Sequence, residues 1–105
     1  MSFSESETST VIHEIIEQHA EEAAFLWTVR DRAVLSSSYS LKDLSALDER
    51  VEAHLDGLRI AGSFGWQLCE QALDPTEPGI VFAAAVLAFD SGDTERVRRV
   101  LERFP

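Results

Sequence analysis

The run His13-Glu14-Ile15-Ile16-Glu17-Gln18-His19 brings together imidazoles and carboxylates, the donor types of a helical zinc site. The zinc-protease helix needs its two histidines four residues apart, on one face. His13 and His19 are six apart, so one helix cannot turn both toward one ion. Cys69 is the only cysteine, which excludes an intrachain disulfide and a multi-cysteine metal site. A cysteine nucleophile would need a histidine and an orienting carboxylate. Cys69 instead falls in an apolar stripe with Gly65 and Ala72, where a free thiol behaves as a small hydrophobe. Glu14, Glu17 and Glu21 read as a solvated helix face, with no apolar pocket to raise a carboxyl pKa. His54, also near an apolar stripe, is expected to find a backbone or carboxylate partner. No enzyme, metal or cofactor is expected from these residues.

The charge distribution narrows the partners. The chain has 105 residues and a formal charge of -10. From residue 78 onward Arg96, Arg98, Arg99 and Arg103 balance Asp90, Asp93, Glu95 and Glu102, so the whole acidic excess lies upstream. Such a surface repels phosphate backbones and favours basic proteins. Nucleic acid would be reached only if the small arginine cluster acted alone, and is not expected as a partner. No apolar run approaches the roughly 20 residues of a membrane span, and the acidic start "MSFSESETST" is unlike a signal peptide. With a single cysteine, the expectation is a soluble protein of the reducing cytoplasm.

Helices must position these groups. Strand-type alternation is scarce and helical spacing common, which predicts an all-α domain of about four helices with one core. Residues 1–9 have the composition of a disordered tail, and a single helical domain is expected over 10–105. The first helix, about 10–35, carries the stripe Ile12, Ile15, Ile16, His19, Ala23, Leu26 and Ala33. His19 and Arg30 lie within that stripe and need partners if buried. Phe25 lies off it, beside the acidic face. Ser40 and Asp43 have the form of a capping box. A second helix, about 41–73, keeps one register through Leu44, Leu47, Val51, Leu55, Leu58, Gly62, Gly65, Cys69 and Ala72. Its two late glycines suggest close approach of a neighbouring helix, with a kink or two shorter helices as the alternative. Ile60 and Phe64 then give it a second apolar side. Pro75, Pro78 and Gly79 break the pattern. A helix over about 78–90 is apolar all round, and one over about 93–104, capped by Asp93, carries Val97, Val100, Leu101 and Phe104.

These segments, "HEIIEQHAEEAAFLWTVRDRAV", "LDERVEAHLDGLRIAGSFGWQLCEQAL" and "PGIVFAAAVLAFDSGDTERVRRVLE", together resemble the N-terminal region of a proteobacterial family of HEAT-like repeat proteins. The likeness covers residues 11–103 and consists of helix patterns and small-residue positions. It implies a closing antiparallel helix pair of the kind that stacks in solenoids. Members are several times longer, of uncharacterised biochemistry, and often encoded beside type VI secretion effectors. This chain lacks their downstream repeats.

Two functions follow as expectations. The first is a protein-binding module that neutralises a toxin effector as an immunity protein does, or accompanies it. Its contacts would be Glu14, Glu17, Glu21 and Phe25, with Ile60 and Phe64 as apolar surplus. The alternative is a homo-oligomeric or solenoid-capping module using the last two helices, where Arg96, Arg99 and Arg103 meet acidic residues of the neighbouring copy.

Overall fold

The computed structural model describes the backbone of residues 5–103 and the side chains of residues 12–103. The described residues form five helices and no strand: α1 (Glu5–Ala33), α2 (Leu41–Ile60), α3 (Ser63–Ala72), α4 (Pro78–Ser91) and α5 (Thr94–Glu102). The all-α expectation is met, with one helix more than expected. α1 begins at Glu5, so residues 5–9 of the segment expected as a disordered tail extend the helix. Propagating a helix already formed is far easier than starting one. Residues 1–4 of that tail, and Phe104 of the last stripe, lie outside the described residues.

The single long helix expected over 41–73 is instead two. Gly62 adopts φ 61°, ψ -129°, a backbone state that only glycine enters at low cost, and the chain turns there. The Trp66 N–H donates to the Gly62 carbonyl as α3 starts. This break rotates the face that follows. Trp66, Cys69 and Leu73 enter the core, while Ala72, expected in the stripe, is exposed. Gly65 does mark a close approach, but to the end of α2. A Cβ there would stand 3.2 Å from the Leu58 carbonyl carbon and nearer still to its oxygen.

Local signals elsewhere act as read. The Ser40 hydroxyl accepts from the Asp43 N–H at 3.2 Å, and the Asp43 carboxylate accepts from the Ser40 N–H at 3.0 Å, which completes the capping box of α2. Asp93 accepts from the Glu95 and Arg96 N–H groups at the start of α5, and Gly92 ends α4 in the left-handed conformation.

α1 and α2 run antiparallel, as contacts at Arg30–Asp48 and His19–His54 require. The core joins Ile16, Ala20, Ala23 and Leu26 of α1 to Val51, Leu55 and Leu58 of α2, with Trp66 and Cys69 of α3 beneath. α4 supplies Ala83, Ala84, Leu87 and Ala88, and α5 closes over it through Val100. Small residues dominate where α1 meets α4. Ala20, Ala23, Ala83 and Ala84 let the two backbones come close, and Gly79 takes this to its limit. Ile12 and Ile15, expected in the stripe, are about half exposed. α1 meets α3 as far out as His13, whose ring stands edge-on to Phe64 with centroids 4.9 Å apart.

Candidate functional site

On α1 the residues His13, Glu17, Glu21 and Phe25 recur every four positions, about 6 Å apart along the axis. Two clefts open beside this row. One, of about 300 Å³, lies between His13, Glu17, Ala20 and Glu21 of α1 and Leu68, Gln71 and Ala72 of α3, with Ile80 at its end. The other, of about 270 Å³, is lined by Glu21, Ala24, Phe25 and Thr28 of α1, by Glu77, and by Gly79 and Ile80 of α4. Glu21 and Ile80 line both, so the clefts adjoin as a furrow along α1.

The walls follow from local structure. Asp74 accepts from the N–H and hydroxyl of Thr76, and these bonds hold its carboxyl below the usual range. The turn delivers Glu77 to the head of α4, where Pro78 takes the first helical position and Gly79 sits against the Ala24 carbonyl. Phe25 stands out from this crossing, 64% exposed, with Glu21 and Glu77 on the same cleft.

The charges of the furrow lack counterparts. Glu17 lies 3.7 Å from the His13 imidazole, and no lysine or arginine lines either cleft. Glu14, Glu21 and Glu77 make no ion pair among the described residues. Of the acidic face expected from sequence, Glu17, Glu21 and Phe25 come together in the furrow. Glu14 is exposed outside its lining. Glu77 and Ile80 join from parts of the chain that sequence reading did not connect with the first helix.

The other candidates stand apart. Ile60 is 87% exposed at the end of α2. Phe64 is half-buried against His13, on the α3 side of the row and away from Phe25. The arginines of α5 have intrachain partners. Arg99 donates to Glu70 at 2.9 Å and to Glu95 at 3.4 Å. Arg98 binds Glu95 and Glu102, and Arg96 lies over the Trp66 ring at 5.5 Å beside Asp93. The bond from Arg98 holds the Glu95 carboxyl below the usual range. Arg103 is exposed at the end of α5.

A further cleft, of about 330 Å³, lies between α1, α2 and α4 over the stacked rings of Trp27 and Phe82, whose centroids are 5.3 Å apart. Its rim is already neutralised. Arg30 donates to Asp48 at 2.8 Å, and Arg59 donates to Asp90 at 2.8 Å and to Glu52 and Asp56. Sequence reading did not single out Trp27 or Phe82. The all-round apolar pattern of α4 was a signal toward Phe82, and none pointed to Trp27.

The chemical groups are placed for packing. Cys69 has no exposure, and burial pushes its thiol up to about 11, far from a reactive thiolate. Among the described residues no three histidine, cysteine or carboxylate side chains are grouped to hold a metal ion. No described helix is long and apolar enough to cross a membrane. No protein-family model, curated protein or solved structure matches the chain.

Proposed function

We propose that this chain is a non-enzymatic, protein-binding helical module whose furrow along α1 receives a basic surface of a partner protein. The observation that carries the reading is Phe25, an exposed aromatic anchor set between Glu21 and Glu77 in a furrow without lysine or arginine. Exposed aromatics supply contact area at small entropic cost, and carboxylates without a cation gain most from a partner's lysines and arginines. The net charge of -10 speeds the approach of such a partner. The resemblance to HEAT-like proteins encoded beside type VI secretion effectors makes a basic toxin effector the partner class we favour, either neutralised or accompanied. The buried Cys69 supports the non-enzymatic part of the reading.

The test is affinity capture from the native lysate, with the Glu17→Lys, Glu21→Lys, Glu77→Lys triple variant as control. A basic partner retained by the wild type and bound at least about tenfold more weakly by the variant at low salt would support the furrow. Equal binding to both, with the same salt dependence, would refute it. A second reading is self-association through α4 and α5, favoured by Phe89, 63% exposed on α4, and by the exposed Leu101 on α5. Recovery of the chain alone, with a sedimentation coefficient that rises with concentration, would favour this reading.

A further inference from the structure

His19 of α1 and His54 of α2 are 35 positions apart, yet their Nδ1 atoms lie 3.0 Å from each other. The ring centroids are 5.2 Å apart. Two imidazoles reach that separation when Nδ1 points at Nδ1 head-on. Among the described residues no third histidine, cysteine or carboxylate joins them to complete a metal site. The contact is therefore a hydrogen bond, in which one ring donates and the other accepts.

Space for it is built into α2. Gly57 stands in the helix interior three residues after His54, where glycine is a poor helix former. A Cβ at that position would lie 2.7 Å from the His19 Cδ2 and 2.8 Å from its Nε2. The missing side chain lets the His19 ring lie against the α2 backbone with its Nδ1 turned to His54.

A bond between two Nδ1 atoms needs one proton between them. With both rings protonated, two donors and two positive charges would face each other at this distance. Charged groups of both signs flank the pair: Glu17, Glu21 and Glu22 on α1, and Arg50, Glu52 and Asp56 on α2, the last two bound to Arg59. α3 has only Glu70, bound to Arg99, and the buried Cys69. α4 has only Asp90, bound to Arg59. Neither imidazole has a hydrogen bond or ion pair to a carboxylate among the described residues.

We propose that His19 and His54 form a proton-operated clasp between α1 and α2, closed by one shared Nδ1 proton and opened when both rings are charged. The sign follows from linkage. In mild acid the unfolded chain takes up a proton on each histidine, while the closed clasp holds one back. Protons therefore favour the unfolded state, and stability falls as pH falls. An unfolded histidine near its ordinary value of about 6.5 is protonated about ten to one at pH 5.5. The unfolded-to-folded ratio should thus rise about tenfold from pH 7.5 to 5.5, from this pair alone.

Denaturant titrations at the two pH values test the clasp. His54→Gln, which cannot become charged, should remove most of the tenfold change, while His13→Gln should keep it. An undiminished change in His54→Gln would overturn the proposal. Should that variant fail to fold, nitrogen-resolved NMR titration of the wild-type rings decides. Two well-separated protonation steps shared by His19 and His54 support the clasp, and two independent, superimposable curves overturn it.

Discussion

Replacing Gly79 by alanine tests the contact that shapes the floor of the furrow. A Cβ at Gly79 would stand 2.8 Å from the Ala24 carbonyl carbon, 2.9 Å from the Ala24 Cα, and nearer still to the carbonyl oxygen. All three atoms belong to the α1 backbone, so no rotamer change relieves the overlap. The start of α4 must retreat by roughly 0.5–1 Å to regain ordinary van der Waals spacing. That shift loosens Ile80 and Ala83 against α1, and both are buried. Forcing an extra carbon into a close-packed site costs about 1–3 kcal/mol. The better helix propensity of alanine returns at most about 1 kcal/mol, and less in the first turn than in a helix interior. The net expectation is a loss of about 1–2 kcal/mol, read as a lower urea midpoint at unchanged slope. Partner binding should weaken as well, since Phe25, Glu77 and Ile80 share the displaced crossing. A Gly79→Ala protein as stable as the wild type would refute the close approach of α4 to α1, and with it the shape of the furrow.

Three further outcomes follow from the same geometry. Charge reversal at Glu17, Glu21 and Glu77 should weaken partner binding at least about tenfold at low salt with the fold intact, checked by circular dichroism beside the binding assay. Ser40→Ala should cost about 1 kcal/mol in urea titrations at neutral pH. The bonds from the Ser40 N–H and hydroxyl hold the Asp43 carboxyl below its usual range, so the cap is complete at neutral pH and is lost as pH falls through that lowered value. Cys69, its thiol pushed up to about 11 by burial, should resist thiol reagents at pH 8 in the native protein and react at the rate of unfolding. Fast labelling of the folded protein would show that the α3 core opens easily.

Where sequence reading succeeded, the interaction spans about one helical turn. Ser40 and Asp43 satisfy each other three residues apart, Asp93 caps the helix that begins beside it, and Gly92 ends the helix before it. The α1 stripe from Ile16 to Ala33 was legible for the same reason, because helical periodicity is a local property. The α2 register failed at one residue. A glycine in an unbroken apolar pattern reads equally as a packing notch or a turn, and the φ of 61° at Gly62 decides between them.

The long-range features share one physical cause, and it explains why they were hidden. At Gly57, Gly65 and Gly79 a missing Cβ makes room for another group: the His19 ring, the Leu58 carbonyl and the Ala24 backbone. Sequence shows that a position is small without showing what fills the space. The acidic face of α1 could therefore be read as charged but not as a furrow, since its opposite wall depends on Gly79 bringing Glu77 and Ile80 beside Phe25. His54 was expected to find a backbone or carboxylate partner. It meets His19 because Gly57 clears the space for that ring. Both the furrow and the clasp thus depend on small residues that hold α1 close to its neighbours. A single added methyl group at Gly57 or Gly79 should therefore disturb one and leave the other in place, which makes the two features separable by experiment.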